Sequence, residues 1–281
     1  MPGAAALVFG PGAAQSAPDQ QRDEGKRVAE TGQRADDLEL QPDVVAANCL
    51  GVLVPQSGFL NEKRIARINA ARYEGQEIAG ALHVIEKGDR VLEIGAGIGV
   101  VGGVMARHSG AERILSFEAN PQLIPVVRAL HAMNGLEERI EVRNEVLVTA
   151  PDAPEAMEFH VRSSYLGSSL LNPEGRPSDL VRVPTRSFAE VCAELKPNIL
   201  IMDIEGGELE LLRHMDLSGF RGVVLEFHPE AYGIGGMREC KNVLRDAGFT
   251  RIAEKSTRIV WTCLRMEVKV EGDGASVAET T

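Results

Sequence analysis

Cysteine is scarce and unpaired in this sequence. Cys49, Cys192, Cys240 and Cys263 lie far apart, with no Cys-x-x-Cys pair and no metal-ligand spacing, so reduced thiols are expected. Positive charge is in deficit: 30 Lys and Arg stand against 41 Asp and Glu, a net charge of −11. A general nucleic-acid binder needs clustered cations to neutralise phosphates, and no basic stripe is visible, so no nucleic-acid partner is expected. Long hydrophobic runs are also missing. The apolar stretch Ala4-Ala5-Ala6-Leu7-Val8-Phe9 is too short to span a bilayer and has no cationic segment before it. No signal peptide, membrane span or membrane partner is expected, and the address reads as cytoplasmic. No internal repeat is apparent.

What is there is a chain of 281 residues, 44% hydrophobic and 25% charged, enough for one large α/β domain or two small ones. Residues 1–40 hold Ala, Gly, Pro, Gln and mixed charge, with almost no bulky apolar residue after Phe9. Such a segment does not bury enough surface to offset its ordering entropy, so a disordered tail is expected there, and another over 269–281. Ile65, Ile68, Ala71, Ile78, Leu82 and Ile85 recur at helical spacing, with Asn61 as N-cap and Gly75 dividing two helices. Residues 41–88 therefore read as an N-terminal helical segment, and the main domain spans 89–268. In it, strands at 90–94, 113–117, 140–148, 158–161, 181–185, 199–204 and 223–227 alternate with helices at 98–108, 120–134, 188–195, 208–215 and 237–247. The second of these helices has Asn120 as cap, Pro121 first, Asn134-Gly135 as stop, and Pro125 awkwardly inside. Two final strands, 251–255 and 258–266, read as an antiparallel hairpin. The alternation implies a parallel sheet wrapped on both faces, with ligands beyond the carboxyl ends of its strands.

The segment Val91-Leu92-Glu93-Ile94-Gly95-Ala96-Gly97-Ile98-Gly99 sets glycines directly after the strand at 90–94, where a tight turn lets a ligand approach the backbone at a helix N-terminus. Two readings compete. Gly97-Ile98-Gly99-Val100-Val101-Gly102 spells the dinucleotide pattern GxGxxG, with Glu118 at the distance of a ribose contact, and points to an NAD-dependent oxidoreductase. The acid-x-Gly-x-Gly-x-Gly order favours S-adenosylmethionine instead, because a carboxylate at Glu93 beside the ligand's polar end repels a pyrophosphate and suits an ammonium. Glu118 can accept both ribose hydroxyls; otherwise it is a helix-start acid favoured by the dipole. Asn144 either hydrogen-bonds the adenine edge or is an edge polar residue. A non-catalytic nucleotide-binding module of the same fold is the third reading.

A second block, Leu200-Ile201-Met202-Asp203-Ile204-Glu205-Gly206-Gly207-Glu208, adds to the glycine loop, to Glu118-Ala119-Asn120-Pro121 and to Val224-Leu225-Glu226-Phe227-His228-Pro229. Together these closely resemble the FkbM-type methyltransferases over roughly residues 60–265. The resemblance implies a class I, Rossmann-like methyltransferase fold: a mostly parallel seven-stranded sheet with helices on both faces and a C-terminal antiparallel hairpin. It implies S-adenosylmethionine as cofactor and O-methylation, mostly of hydroxyls on sugars and secondary metabolites, so the expected partner is a small-molecule or glycan acceptor. Glu93, Gly95, Ala96, Gly97 and Gly99 would take the cofactor loop, Glu118 with Ala119 and Asn120 the ribose end, and Asp203 with Glu205 the acidic end of the fourth strand. Tyr73, with Glu74, would be the family's Tyr-Glu pair near the cofactor. Residues 150–180 match no substrate pattern, which leaves the acceptor and the oligomeric state open.

Methyl transfer to a hydroxyl is an in-line displacement that needs alignment and removal of a proton. Asp203 and Glu205 are two apart and share a face if the strand persists, one holding cofactor or acceptor and the other acting as base. His228 is the alternative base, suited by its usual titration range; His160 is a weaker one. Asp203, Glu205, Glu226 and His228 also offer ligands for a divalent cation, against hydrogen bonding among strand-end loops, and no metal is expected. Glu208 reads as a first-turn acid, Ser163, Ser164, Tyr165, Ser168 and Ser169 as candidate acceptor contacts, and Trp261 as core.

Overall fold

The structure is a computed structural model and describes residues 39–162 and 178–265. Apart from residues 39–40, the expected tails lie outside the described residues, as do the five acceptor candidates between 163 and 169.

The described residues begin with an antiparallel hairpin, β1 (Gln41–Cys49) and β2 (Val52–Gln56), which corrects the helical reading of that stretch. Its buried apolar residues Ala47, Cys49, Val52 and Val54 alternate along each strand, as one covered face requires, with Pro55 buried beside Val54. Helices α1 (Glu62–Asn69) and α2 (Gly75–Val84) follow as expected. Asn61 caps α1 by accepting from the Arg64 amide at 2.9 Å.

The alternating part runs β3 (Arg90–Ile94), α3 (Val100–His108), β4 (Arg113–Phe117), α4 (Ile124–Asn134) and β5 (Ile140–Arg143). After a detour through β6 (Val146–Val148), β7 (Ala156–Val161) and β8 (Asp179–Ser187) come α5 (Phe188–Leu195), β9 (Ile199–Met202), α6 (Glu208–His214) and β10 (Gly222–Glu226). Helix α7 (Pro229–Asp246), β11 (Phe249–Arg251) and β12 (Val260–Arg265) complete the order.

Seven strands form one sheet in the order β11-β12-β10-β9-β3-β4-β5. It is parallel from β10 to β5, with β12 and β11 added antiparallel, the class I methyltransferase arrangement. Its central strands are mostly apolar on both faces, as parallel strands under two helical layers must be. Val91, Ile199 and Val224 pack with Ile78 and Val104 on one side. Leu92, Leu200 and Leu225 pack with Val191, Leu212 and Leu244 on the other.

Several boundaries differ from the sequence reading. The strand read at 199–204 ends at Met202, so Asp203 and Glu205 lie in the loop beyond it and do not share a strand face. Residues 120–123 form a turn, in which Asn120 Oδ1 accepts from the Gln122 amide, so α4 starts later and Pro125 falls in its first turn, where the missing N–H costs nothing. The strand read at 140–148 breaks at Asn144. Its first half stays in the main sheet, and β6 joins a three-stranded sheet, β6-β8-β7. Helix α7 begins eight residues earlier than read and kinks at Gly233, where φ is 74°. Residues 253–255 form a 3-10 turn, so the strand that pairs with β12 is Phe249–Arg251. No helix among the described residues is long and apolar enough to cross a membrane.

Strand order reverses between β3 and β9: the chain proceeds from β3 outward through β4 on one side and from β9 through β10 on the other. The carboxyl ends of these two strands frame the crevice where such sheets bind ligands.

Candidate functional site

The turn after β3 is fixed by contact with β9. Gly95 has φ +94°, and a Cβ there would overlap the Asp203 carbonyl oxygen. The Asp203 amide in turn donates to the Ile94 carbonyl at 3.0 Å. Gly95, Gly97, Glu118 and Ala119 line one side of a cavity of about 540 Å³, within the ~300–1,000 Å³ usual for small-molecule sites. Its far wall comes from Val146, Leu147, Met157 and Phe159 of the three-stranded sheet, and its third side from Asp203, Ile204 and Glu205.

Glu118 is the anchored acid of this cavity. One carboxylate oxygen accepts from the Gly97 amide at 2.8 Å and the other from the Asn120 amide at 2.8 Å. Burial pushes its carboxyl up to about 7, against the pull of these amides. Asn120 shapes this turn from a buried position. Ala96 and Gly99 also act from outside the cavity. Ala96 packs with Ile124, Val127 and Val142, and the missing Cβ of Gly99 makes room for Val127.

Two expected contacts are redirected. Asn144 donates from Nδ2 to the carbonyls of Glu118 (2.8 Å) and Ala119 (3.1 Å) and does not line the cavity. It staples the loop after β4 to the end of β5, and the adenine-edge role is corrected to a structural one. Glu93 likewise does not reach the cavity. It lies on the face of β3 covered by α3, only 2% exposed, accepting from Ser116 Oγ and from the Gly102 amide. It thus caps α3, whose N-cap, Gly99, has no side chain to offer. Burial raises its carboxyl to about 7. The expected contact of Glu93 with the ligand's charge is thus not seen at this cavity, whose lining acids are Glu74, Glu118, Glu145, Asp152, Asp203, Glu205 and Glu210.

A second cavity, about 560 Å³, adjoins the first and shares Glu74, Asp203 and Glu205 with it. Its other acids are Glu77, from α2, and Glu226, from the end of β10. Tyr73 is buried here and hydrogen-bonds the Glu74 side chain. Glu74 itself sits in the left-handed region (φ 47°) at the N-cap of α2. Burial raises Glu74 to about 8, with the charge of Glu77 adding to it. Glu226 rises to about 8 for the same first reason, with the charges of Asp203 and Glu77 next. Burial also holds Asp203 well above the usual carboxylate range, seconded by Glu74, and lifts Glu205, while His228 pulls both down.

His228 closes the group. Its Nδ1 donates to Glu208 Oε1 at 2.5 Å, and its Nε2 lies 3.7 Å from both Asp203 Oδ1 and Glu205 Oε2. Burial opposes its charge, but the Glu208 hydrogen bond and the charges of Glu208, Asp203 and Glu205 prevail and raise it to about 10. The Glu208 hydrogen bond occupies Nδ1, so only Nε2 of His228 faces Asp203 and Glu205. Glu208 is fully buried and spends its carboxylate on this imidazole rather than only on its helix start. His160 pairs with Ser178 Oγ at 2.9 Å and lines neither cavity. Trp261 is core, edge-on to Phe227 at 5.7 Å.

Sequence reasoning missed Glu77 and the wall at 145–148. Glu77 carried a signal: it is an acid on the buried face of α2, one residue from Ile78. The wall carried none, because it exists only once the strand breaks at Asn144.

Residues 93–251 match the methyltransferase FkbM domain, more than half of the chain. No curated protein matches the sequence significantly. Among solved structures, a ribosomal protein L11 methylase from Lactobacillus delbrueckii subsp. bulgaricus is similar at 12% identity and TM-score 0.41, over 68% of this chain and 77% of that one. A precorrin-6y C5,15-methyltransferase from Geobacter metallireducens GS-15 is similar at 14% identity and TM-score 0.38, over 68% and 87%. A fibrillarin pre-rRNA processing protein from Methanococcus jannaschii is similar at 11% identity and TM-score 0.38, over 64% and 67%. Similarity at this level does not extend to activity.

Proposed function

The chain belongs to the FkbM methyltransferase family, and from that premise we propose that it methylates a hydroxyl of a sugar or secondary metabolite with S-adenosylmethionine. The observation that carries this reading is the Glu118 carboxylate, held by the Gly97 and Asn120 amides at the wall of a cavity that adjoins an acid-lined one.

The residues present fit the cofactor. Glu118 still has lone pairs to offer two ribose hydroxyls, Phe117, Leu123 and Val146 give an apolar seat for a purine, and Asp203 and Glu205 put negative charge at the end where a cationic group belongs. Bound there, S-adenosylmethionine supplies an electrophilic methyl group. The acceptor occupies the second cavity. Glu205, which lines both cavities, takes the acceptor's hydroxyl proton as the oxygen attacks, and Asp203 positions the reacting groups. His228, held by Glu208, keeps the two carboxylates in place as their counter-charge.

Calorimetric titration tests the cofactor: S-adenosylmethionine is expected to bind, and binding of NAD in its place would sink the reading. Glu118→Ala should weaken cofactor binding by at least about tenfold, as for a lost charge-assisted contact. Glu205→Gln should lower turnover by ~10²-fold or more with cofactor affinity little changed; wild-type turnover with a panel of sugars and polyketide alcohols would remove Glu205 from the base role.

A further inference from the structure

We propose that Asp203, Glu226 and His228 form a binding site for a hard divalent cation, magnesium or manganese, at the acceptor end of the cleft. One potential ligand atom from each lies within 4.8 Å of the others. Fold topology builds this convergence. Strands β9 and β10 are parallel neighbours with Met202 opposite Leu225, so Asp203 and Glu226 follow side by side at the carboxyl edge, and His228 comes two residues later.

The histidine is the observation that sets this apart from a mere group of acids. His228 is only 7% exposed. Its Nδ1 is taken by Glu208, itself fully buried, which fixes the ring and leaves Nε2 facing Asp203 and Glu205. Among the described residues Nε2 makes no hydrogen bond: both nearest carboxylate oxygens stand 3.7 Å away, too far for one. Two ligands on a common ion at ~2.1 Å each lie about 3–4.2 Å apart, so 3.7 Å suits atoms flanking a cation. A carboxylate on the far nitrogen of a histidine is also the usual outer support of a metal-binding imidazole. Glu226 shares a side-chain hydrogen bond with the buried Glu77, and a cation bound to Glu226 displaces the proton that this bond requires.

Ligand chemistry selects the ion. Two carboxylates and one imidazole, with room in the 560 Å³ cavity for water or an acceptor oxygen to complete the shell, favour a hard cation over a thiophilic one. Five carboxylates face this space, from Glu74, Glu77, Asp203, Glu205 and Glu226. Arg67 and Arg72 also border the cavity, but the Arg67 guanidinium donates to the Arg72 carbonyl, at 3.3 Å. A cation bound to Nε2 takes the place of the proton there, which leaves to solvent. In the proposed methyl transfer, on which this role but not the site's existence rests, the cation would polarise the acceptor hydroxyl and ease proton loss to Glu205.

Full-length protein stripped with chelator and titrated with Mn²⁺, followed by the electron paramagnetic resonance of free Mn²⁺, tests the site without S-adenosylmethionine. One Mn²⁺ per chain is expected, displaced by Mg²⁺. Glu226→Gln and Asp203→Asn should each weaken binding at least tenfold, while Glu254→Gln, an exposed acid elsewhere, leaves it unchanged. Two carboxylate variants guard against one failing to fold, which circular dichroism reports. No Mn²⁺ binding up to 1 mM, or equal binding in wild type and both folded variants, overturns the proposal. If S-adenosylmethionine binds and Mn²⁺ does not, the cation site alone is wrong. If Mn²⁺ binds one per chain and S-adenosylmethionine does not, the cation site stands and the methyl-transfer reading falls.

Discussion

Gly95 shows how much one missing carbon can decide: its φ is +94° and the space its Cβ would fill is held by the Asp203 carbonyl. Gly95→Ala has to accept a left-handed conformation, costing ~1–2 kcal/mol, and also push the end of β9 away. A loss of more than about 2 kcal/mol is expected in urea unfolding, and wild-type stability would contradict the contact. The same scale shows what a sequence conceals. Glu118 is legible as a cavity acid because it directly follows a strand whose bounds the apolar pattern marks well, whereas Asp203 lies past the end of a strand read two residues too long. Glu93 is legible as a residue but not in its direction. Its partner Ser116 is 23 positions away, and only the register of β3 against β4, with Glu93 opposite Ser116, decides that the carboxylate turns inward.

Elements follow the same division between local and distant causes. Strands β3 and β4 and helix α5 fall where apolar runs and turn residues predict, since hydrophobic period, caps and glycine stops are local signals. The hairpin β1–β2 escapes because β1 is exposed over most of its length, and its buried residues find their partners on distant helices. Asn134 makes that docking visible. From the end of α4 its Oδ1 accepts from the Leu53 amide at 2.9 Å, and its Nδ2 donates to the Leu53 carbonyl at 2.8 Å. Asn134→Ala removes both bonds and should cost about 1–3 kcal/mol, with faster amide exchange concentrated at residues 52–54. Unchanged exchange there would show that apolar packing alone holds the hairpin.

For the whole molecule, the buried carboxyls set a pH dependence whose sign can be worked out. Burial raises Glu93 and Glu118 to about 7, so the folded chain holds protons that the unfolded chain has released, and stability falls as pH rises through this range. His131 works the other way, lowered to about 4 by burial, but its effect is complete once pH passes its ordinary value of 6.5. Between pH 6.5 and 8 the ligand-free protein is therefore expected to lose melting temperature, and Glu93→Gln should flatten the decline; a melting temperature that rises over that interval would refute the assignment. A different consequence follows from the wall formed by Glu74, Asp203 and Glu205, which border both cavities. Whatever one occupant does to the orientation or charge of these three side chains is felt by the other. Thermodynamic reciprocity then requires the factor by which the first changes the second's affinity to return unchanged when the roles are exchanged. Any cooperativity between the two compartments would thus pass through three carboxylates.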